Sequence, residues 1–314
     1  MSAEAVALWA PFVGFTFVLF FSLWTAEAIT ARKRGLQIYD RRDSLANLSV
    51  FIVFTFIAAI WTSVAVIPAL SSVGEIAPWR FGPQYGDPAT YTLGNFVLLF
   101  LVDDFCFYVF HRFSHRVPFF WAMHEAHHSS KFFNITVAGR EPWTALLSFL
   151  FWIPVVAIGF DPSFVVIQHW LSLTYQQLIH TAVVGRMGFL ESFLNTPSHH
   201  RVHHGTQAKY LNRNFGGTLI VWDKLFGTFQ PEEEKPDYGV QPPLESHSPL
   251  AISFNGFARL LGKSRGRAKL DADSLLLEPG DDALADPVPR EDAENWIRHQ
   301  RPANGERLGE RVGQ

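Results

Sequence analysis

The sequence predicts an all-α integral membrane protein, a bundle of about four to five membrane helices with a histidine-rich cap on the cytoplasmic side. Two observations lead to this prediction. Several long stretches of the 314-residue chain carry no charge, and roughly 20 apolar residues are enough to span a bilayer. Eleven of the 13 histidines lie between His111 and His204, so imidazole is concentrated in the middle of the chain.

Five apolar runs make up the predicted bundle. They cover residues 5–26, 48–70, 91–110, 143–160 and 162–184. The third run is interrupted only by Asp103 and Asp104, and the last two are separated by the turn pair Asp161-Pro162, which predicts a hairpin that crosses the membrane only in part. The first run is interpreted as a retained helix rather than a signal peptide, because residues 1–4 contain no lysine or arginine.

The loops between the runs predict the orientation. The first loop region holds five basic residues, Arg32, Lys33, Arg34, Arg41 and Arg42, whereas residues 71–89 hold only Arg80. The positive-inside rule therefore places the first loop in the cytoplasm. Alternating crossings then bring residues 111–140 to the same side, and the hairpin returns residues 199–204 there, so we expect the histidines to share the cytoplasmic face.

Composition narrows the class of protein further. The chain has a single cysteine, Cys106, which excludes a disulfide framework and a cysteine-rich metal site. Its net charge of −3 and 18% charged residues do not suit a nucleic-acid-binding protein. We expect residues 1–230 to form the membrane domain. Residues 231–314 are expected to form a cytoplasmic, partly disordered extension, with helix around 253–261, a basic patch at 263–269 and a loose end after Gly280.

The histidines form three boxes with helical spacing. His111 and His115 are four residues apart, and two further boxes share the spacing HxxHH: His124, His127, His128, His200, His203 and His204. Residues at i and i+4 share one helical face and can clasp one ion. Eight imidazoles exceed the needs of one four- to six-coordinate ion, so the cap is predicted to bind two metal ions. Ligand type alone leaves iron, zinc, manganese and copper open.

Other polar residues are candidates to join the boxes. His180 lies at the end of the fifth run and is expected to be a ligand. His169, on the same helical stripe, is expected to be an interior hydrogen-bonded residue, and His199 lies at the wrong helical phase. Asp104 falls on the face of His111, where a carboxylate is expected to hold the second ring nitrogen of a ligand histidine.

The sequence around the boxes resembles a known superfamily. Its motifs are DFCFYVFHR at 104–112, TPSHHRVHHG at 196–205, NFGG at 214–217 and WDKLFGT at 222–228. Over roughly residues 93–239 the chain resembles the fatty acid hydroxylase/sterol desaturase superfamily. It is most similar to the alkylglycerol monooxygenase-like branch, and departs from that branch at Arg116 and at 138–142, which leaves the class of lipid open.

The resemblance implies an iron-dependent lipid monooxygenase or desaturase. Such an enzyme holds two iron ions and uses O₂ as co-substrate to hydroxylate or desaturate a C–H bond of a fatty acyl, sterol or ether lipid. The implied iron ligands are the eight box histidines and His180, and Asn214 matches a family residue near the metals. The sequence contains no GxGxxG fingerprint that follows a strand, so we expect a separate electron donor.

Two alternatives remain open at this point. His124-Glu125-Ala126-His127-His128 also matches HExxH, the motif of single-zinc metalloproteases, with Glu125 as the base. A non-enzymatic metal transporter is the other alternative, for which we would expect ligands along the membrane helices rather than at one end of them.

Overall fold

The computed structural model describes residues 3–80, 92–141 and 143–262. In these ranges the regular structure is helical apart from two isolated β-bridges, which confirms the predicted all-helical class. Three sequence predictions lie outside the described residues: the start of the third apolar run, the basic patch at 263–269 and the loose end after Gly280.

Three long apolar helical segments dominate the amino-terminal half. They are α1 (Ala3–Lys33), α2 (Arg41–Trp61), which continues through a π-helical turn (Thr62–Val66) into α3 (Ile67–Glu75), and α4 (Leu93–Arg116). The segments Pro11–Lys33, Arg41–Glu75 and Leu93–Arg116 are long and apolar enough to cross a membrane. Only 11%, 17% and 28% of their most apolar windows is buried inside the protein, so apolar side chains face outward, as lipid contact requires.

Local chemistry explains where these helices begin and change. The Asp40 carboxylate accepts a hydrogen bond from the Asp43 amide at the start of α2, and Thr92 does the same for Asn95 at the start of α4. Pro68, in the first turn of α3, lacks the amide hydrogen that a regular α-helix would use. The π-helical turn directly before it accommodates this loss.

The remaining helices are shorter. They are α5 (Pro118–His128), α6 (Ile135–Ala138), a 3-10 helix (Trp143–Trp152), α7 (Ile153–Ala157), α8 (Pro162–Ile179), a 3-10 helix (Gly188–Ser192), α9 (Pro197–His203), a 3-10 helix (Ala208–Tyr210), α10 (Val221–Leu225) and α11 (Pro249–Leu260). The fourth predicted run is thus a 3-10 helix followed by α7, and the fifth is α8. Within the described residues, three helical segments have the length and hydropathy of a membrane span, and the last two runs form a shorter hairpin turned at Asp161.

The main apolar core lies where this hairpin meets α3 and α4. Its buried members are Val66, Leu70, Leu99, Phe107, Trp152, Val155, Val156, Phe160 and Val165. The core therefore fixes the hairpin against α4, the helix that carries the first histidine box at its carboxyl end.

The described part of the predicted carboxy-terminal extension packs against the histidine-bearing part of the chain. The Tyr210 hydroxyl accepts hydrogen bonds from the amides of Glu233 and Glu234. Helix α11 packs on α5 so closely that a side chain at Gly256 would clash with the backbone of Ala122. The domain boundary at residue 230 stays a prediction, but residues 231–262 contribute directly to the support of α5.

Candidate metal centre

Nine histidine side chains converge into two groups, in each of which one ring nitrogen per residue lies within 4.8 Å of the others. The first cluster consists of His111, His115, His124, His128 and His203. The second cluster consists of His127, His180, His200 and His204. These are the nine residues that the sequence singled out as candidate ligands.

The HxxHH spacing distributes each box between both clusters. Successive residues of an α-helix are rotated by about 100°, so i and i+4 lie on one face and i+3 points to the other side of it. The i and i+4 members of the second box enter the first cluster, while His127 enters the second. In the third box the assignment is reversed, because His203 alone enters the first cluster. Helices α5 and α9 therefore each bridge both clusters.

The ring nitrogens of the first cluster are spaced as in a metal ligand shell. His124 Nε2 lies 3.1 Å from His111 Nε2 and 3.1 Å from His128 Nε2. An imidazole nitrogen offers one in-plane proton or one lone pair, so it cannot form two good hydrogen bonds at once. Two nitrogens bound at right angles to one ion at about 2.1 Å would be about 3 Å apart, which matches these distances.

The second cluster has the same spacing. His180 Nε2 lies 3.0 Å from His127 Nε2 and 2.8 Å from His200 Nε2, and His204 Nε2 lies 3.2 Å from His200 Nε2. The four rings thus point their Nε2 atoms at a common centre.

Backbone carbonyls set the tautomers of two histidines in the first cluster. His111 Nδ1 lies 2.9 Å from the Phe215 carbonyl and His203 Nδ1 lies 2.9 Å from the Arg213 carbonyl. A carbonyl only accepts, so each Nδ1 carries the proton and each Nε2 keeps its lone pair for a metal. Asn214 lies between these two carbonyls in the sequence, and its left-handed backbone (φ 55°) turns both of them toward the rings.

Asn214 holds this turn through its side chain. It is fully buried, and its Nδ2 donates to the carbonyls of His199 (3.0 Å) and Gln230 (2.8 Å), while its Oδ1 accepts from the Gln230 amide (2.9 Å). The residue that the motif comparison placed near the metals therefore touches no imidazole of either cluster by these contacts. Its backbone instead positions the Arg213 and Phe215 carbonyls, which contact His203 and His111.

In the second cluster, the His180 Nδ1 donates to the Gln176 carbonyl at 2.6 Å, which again leaves Nε2 free to coordinate. The Glu141 carboxylate lies 3.2 Å from His127 Nδ1. A carboxylate beside the outer nitrogen of a ligand histidine fixes the ring and raises its basicity. Sequence reasoning did not assign Glu141 this role, and it follows only from the fold.

The prediction for Asp104 is wrong. Its carboxylate accepts hydrogen bonds from the amides of Thr218 (2.7 Å) and Leu219 (3.1 Å) and from Trp222 Nε1 (2.9 Å), not from a histidine. Asp104 lies seven residues before His111, about 10 Å along the helix, and the loop after Phe215 occupies the face between them. The carboxylate supports the site indirectly, because it anchors that loop.

Burial keeps the cluster histidines neutral. Desolvation, with smaller contributions from neighbouring imidazoles, lowers the pKa of His124 well below its ordinary value of 6.5. Desolvation also lowers the pKa of His127, His128, His200, His203 and His204 well below that value, and that of His180 to about 4. Neutral imidazole is the form that binds metal.

The donor set fits a transition-metal ion in each cluster. His115 Nε2 and His203 Nε2 are buried without a hydrogen-bond partner within the described residues. Unpartnered buried polar atoms are rare in native structures, and a bound ion would satisfy both of them. All-imidazole sets suit iron, zinc and copper.

The structure separates the other candidate histidines from these clusters. His169 packs on Trp152, with ring centroids 4.0 Å apart, and its Nδ1 lies 3.9 Å from the Asp103 carboxylate. His199 packs on Phe229, and its Nδ1 lies 3.2 Å from the Leu194 carbonyl. Neither belongs to a cluster within the described residues.

Glu125 faces away from the clusters. It is 1% exposed, its Oε1 accepts from Asn255 Nδ2 at 2.6 Å, and the same oxygen lies 3.4 Å from Arg259 Nε. The carboxylate is therefore held between α5 and α11. A zinc-protease base must instead reach the metal-bound water, so the geometry argues against the metalloprotease alternative.

A buried arginine that sequence reasoning did not single out holds the second box in place. Arg140 is 2% exposed, and its Nη1 donates to Asp43 Oδ1 (2.6 Å) and Asn47 Oδ1 (2.8 Å). Its Nε donates to the Ala126 carbonyl at 3.1 Å, between the histidines of that box. Arg140 thus ties α5 to α2.

Proteins with similar sequences include named oxygenases and a desaturase. Alkylglycerol monooxygenase of Homo sapiens is 43% identical over 157 residues, which are 50% of this chain and 35% of that protein. Ornithine lipid hydroxylase OlsE of Rhizobium tropici is 31% identical over 152 residues (46% of this chain, 45% of that protein), and a delta(7)-sterol 5(6)-desaturase of Aspergillus fumigatus is 25% identical over 152 residues (46% and 40%).

The matched segment thus spans about a third to a half of the length of these relatives. No solved structure matches the chain significantly. The family model for fatty acid hydroxylase matches residues 96–228, a range that includes all nine clustered histidines. Residues 96–228 are therefore similar to the fatty acid hydroxylase family, which confirms the resemblance predicted from the histidine boxes.

Proposed function

We propose that the chain is a membrane-bound, non-haem di-iron oxygenase that uses O₂ to hydroxylate a C–H bond of a lipid. The observation that carries this proposal is the pair of adjacent histidine clusters, built from shared helices at the end of a membrane-length helix. An alkyl C–H bond offers no acidic or basic group on which side chains could act, so the oxidising power must come from bound metal and O₂.

The nine clustered histidines are the proposed iron ligands, five for one ion and four for the other. Two iron ions held there would supply the activation of O₂ that C–H oxidation needs. The protein's own contribution is to hold the rings in place: the Phe215, Arg213 and Gln176 carbonyls each fix one tautomer.

Aromatic side chains line both clusters. Trp121 packs on His115 at 5.2 Å between ring centroids, and Phe215 packs on the same ring at 5.3 Å. Phe133 packs on His204 at 5.1 Å. These rings keep bulk water from the imidazoles, and a water-poor site favours oxidation of the substrate over side reactions.

A lipid is the proposed substrate class, as a fatty acyl, sterol or ether lipid. The names of the three relatives reported above refer to an alkylglycerol, an ornithine lipid and a sterol. Those named monooxygenase or hydroxylase are 31–44% identical to the chain, whereas the named desaturase is 25% identical. We therefore propose hydroxylation as the principal outcome and desaturation as the alternative.

We propose that both clusters face the cytoplasm and receive electrons there from a separate donor. The basic loop after α1 supports this orientation, because it lies at the same end of the molecule as the second cluster. Asn134 Nδ2 donates to the Ile38 carbonyl in that loop at 2.7 Å, and Arg34 Nη1 donates to the Val183 carbonyl, three residues after His180, at 2.6 Å. Basic loops stay on the cytoplasmic side.

Elemental analysis of detergent-purified protein, expressed in iron-supplemented medium, tests the metal assignment. We expect two irons per chain. One zinc per chain and no iron, persisting after reconstitution of the metal-free protein with iron, would contradict the proposal.

Two histidines of helix α9 supply a matched pair of variants for the activity. His203→Ala should lower iron content and abolish O₂-dependent oxidation of added lipid while the protein still inserts into membranes. His199→Asn, outside both clusters, should keep iron and activity. Full activity and normal iron in His203→Ala would remove the third box from the site.

A further inference from the structure

We propose that helix α11 lies in the membrane interface, with its outer face inserted into an anionic lipid leaflet beside the membrane bundle. Its inner face supports the second histidine box. The inference concerns how the protein sits on the bilayer, and it does not depend on the oxygenase activity proposed above.

The outer face of α11 is apolar along its whole length. Leu250, Phe254, Phe257 and Leu261 follow the i, i+4, i+7, i+11 spacing of one helical stripe. Leu250 and Leu261 are each 66% exposed. The only charged residue of the helix, Arg259, lies on the opposite face, where it contacts Glu125. A helix with an aqueous outer face would carry polar residues there instead.

This apolar stripe continues onto the membrane-proximal part of the protein. Phe119, in the first turn of α5, is 43% exposed and packs on Phe257 with ring centroids 5.9 Å apart. Helix α5 begins two residues after the membrane-length segment Leu93–Arg116 ends. The stripe is therefore at the level where a membrane helix leaves the bilayer, and contiguous exposed apolar surface of this kind marks a site of interaction.

Charge identifies a lipid leaflet as the occupant of this surface. Residues 249–270 contain five basic residues and no acidic one: Arg259, Lys263, Arg265, Arg267 and Lys269. An apolar helical stripe next to a basic run is the pattern of an interfacial helix on anionic lipid. The stripe on α11 would then enter the acyl region of an anionic leaflet.

The inner face of α11 links this contact to the metal centre. Gly256 allows α11 to approach the backbone of Ala122 in α5 closely, since a Cβ there would clash with the Ala122 carbonyl oxygen. Asn255 donates to Glu125, the residue between two cluster histidines of the second box, at 2.6 Å. A leaflet that holds α11 therefore also holds α5 at a fixed depth.

Site-directed spin labelling of the full-length protein in nanodiscs tests the proposal. The single native cysteine allows this design: in a Cys106→Ser background, one nitroxide is placed at Leu250→Cys or Leu261→Cys. Glu245→Cys is the matched control, because its side chain is 76% exposed and lies just before α11. Each variant is compared by its collision rates with oxygen, which partitions into lipid, and with a neutral nickel chelate, which stays in water.

We expect the oxygen-to-nickel collision ratio to be about threefold higher, or more, at both stripe positions than at Glu245, in nanodiscs that contain anionic lipid. The difference should shrink in purely zwitterionic nanodiscs, and when Lys263, Arg265, Arg267 and Lys269 are all changed to glutamine. Metal content reports whether each variant is folded, and the two stripe positions give independent readings.

Two results would overturn the proposal. A nickel collision rate at Leu250 and Leu261 as high as at Glu245 would place the stripe in water. Low collision rates with both reagents would mean that protein covers the stripe, for example residues 263–314 or a second copy of the chain. Loss of the low rates on truncation after Gly262 would identify the first of these.

Discussion

Asn214 offers the sharpest test of how the clusters are held, because its effect on the metals passes through two backbone carbonyls. In Asn214→Ala the buried carbonyl of His199 and the half-buried carbonyl of Gln230 lose their donor, at about 1–3 kcal/mol each. Alanine at φ 55° adds strain of about 1–2 kcal/mol. We therefore expect a loss of about 3–8 kcal/mol in the free energy of unfolding. The displaced carbonyls of Arg213 and Phe215 should also weaken metal binding about 10- to 100-fold.

Two further variants separate backbone strain from the side-chain contacts. Asn214→Gly removes the hydrogen bonds but tolerates the left-handed backbone, so it should recover about 1 kcal/mol relative to alanine while metal binding stays weak. Asn212→Ala is the matched control, because Asn212 has nearly the same backbone conformation (φ 57°) in the same loop and is partly exposed. It should lose stability through strain alone and keep normal metal affinity.

The assay is the rate of iron release to a chelator, followed together with thermal unfolding in detergent. If Asn214→Ala releases iron as slowly as the unchanged protein, although it unfolds at a lower temperature, carbonyl positioning is not what holds the clusters. If Asn212→Ala releases iron as fast as Asn214→Ala, the effect belongs to the loop as a whole and the argument from the two carbonyls fails.

Two predictions concern the surroundings of the second box. Arg140→Met should lower the free energy of unfolding by about 3–5 kcal/mol, because it leaves the buried carboxylate of Asp43 without its cation. Thermal unfolding should show that adding Asp43→Asn restores part of this loss. Equal stability of the single and double variants would argue against the ion pair. Glu141→Gln should speed the release of one iron up to about tenfold, because Glu141 holds the ligand His127. Glu125→Gln, on the far face of α5, should leave the release rate unchanged. Faster release from Glu125→Gln than from Glu141→Gln would mean that the roles of these two acids are misassigned.

The sequence predicted the three membrane-length helices well, because a long uncharged segment is rarely stable in any environment other than a lipid bilayer. It predicted the turn at Asp161-Pro162 between the fourth and fifth runs, but not the local fold of the fourth run. Apolar content is the same for a membrane span and for the 3-10 helix Trp143–Trp152 with α7, and only the packing against α3 and α4 distinguishes them.

At the centre, the prediction was strongest where helix geometry alone decides the outcome. The i, i+4 spacing was enough to bring His124 and His128 to one face. It failed for Asp104, since periodicity gives the face of a residue but not the loop that covers it. The acceptors Arg213 and Phe215 act through backbone carbonyls, which any residue type supplies, so no pattern in the sequence could have identified them.

The crossed arrangement of the two HxxHH boxes leads to a further prediction, about residues that are neighbours in the chain. His203 and His204 are adjacent but lie in different clusters, whereas His200 and His204 are four residues apart and lie in the same one. His203→Ala and His204→Ala should therefore each speed the release of one of the two proposed iron ions, and each variant should affect a different ion.

Double variants test this division of the histidines between the two clusters. His203→Ala combined with His204→Ala should speed the release of both irons, because each substitution weakens a different ion. His200→Ala combined with His204→Ala should still leave one iron that dissociates slowly, since the first cluster keeps all its ligands. The two double variants remove the same number of imidazoles from the same short helix, so general damage to α9 would affect them alike. Identical release from both would refute the division of the box between two ions, and with it the physical reason for a third histidine at the i+3 position.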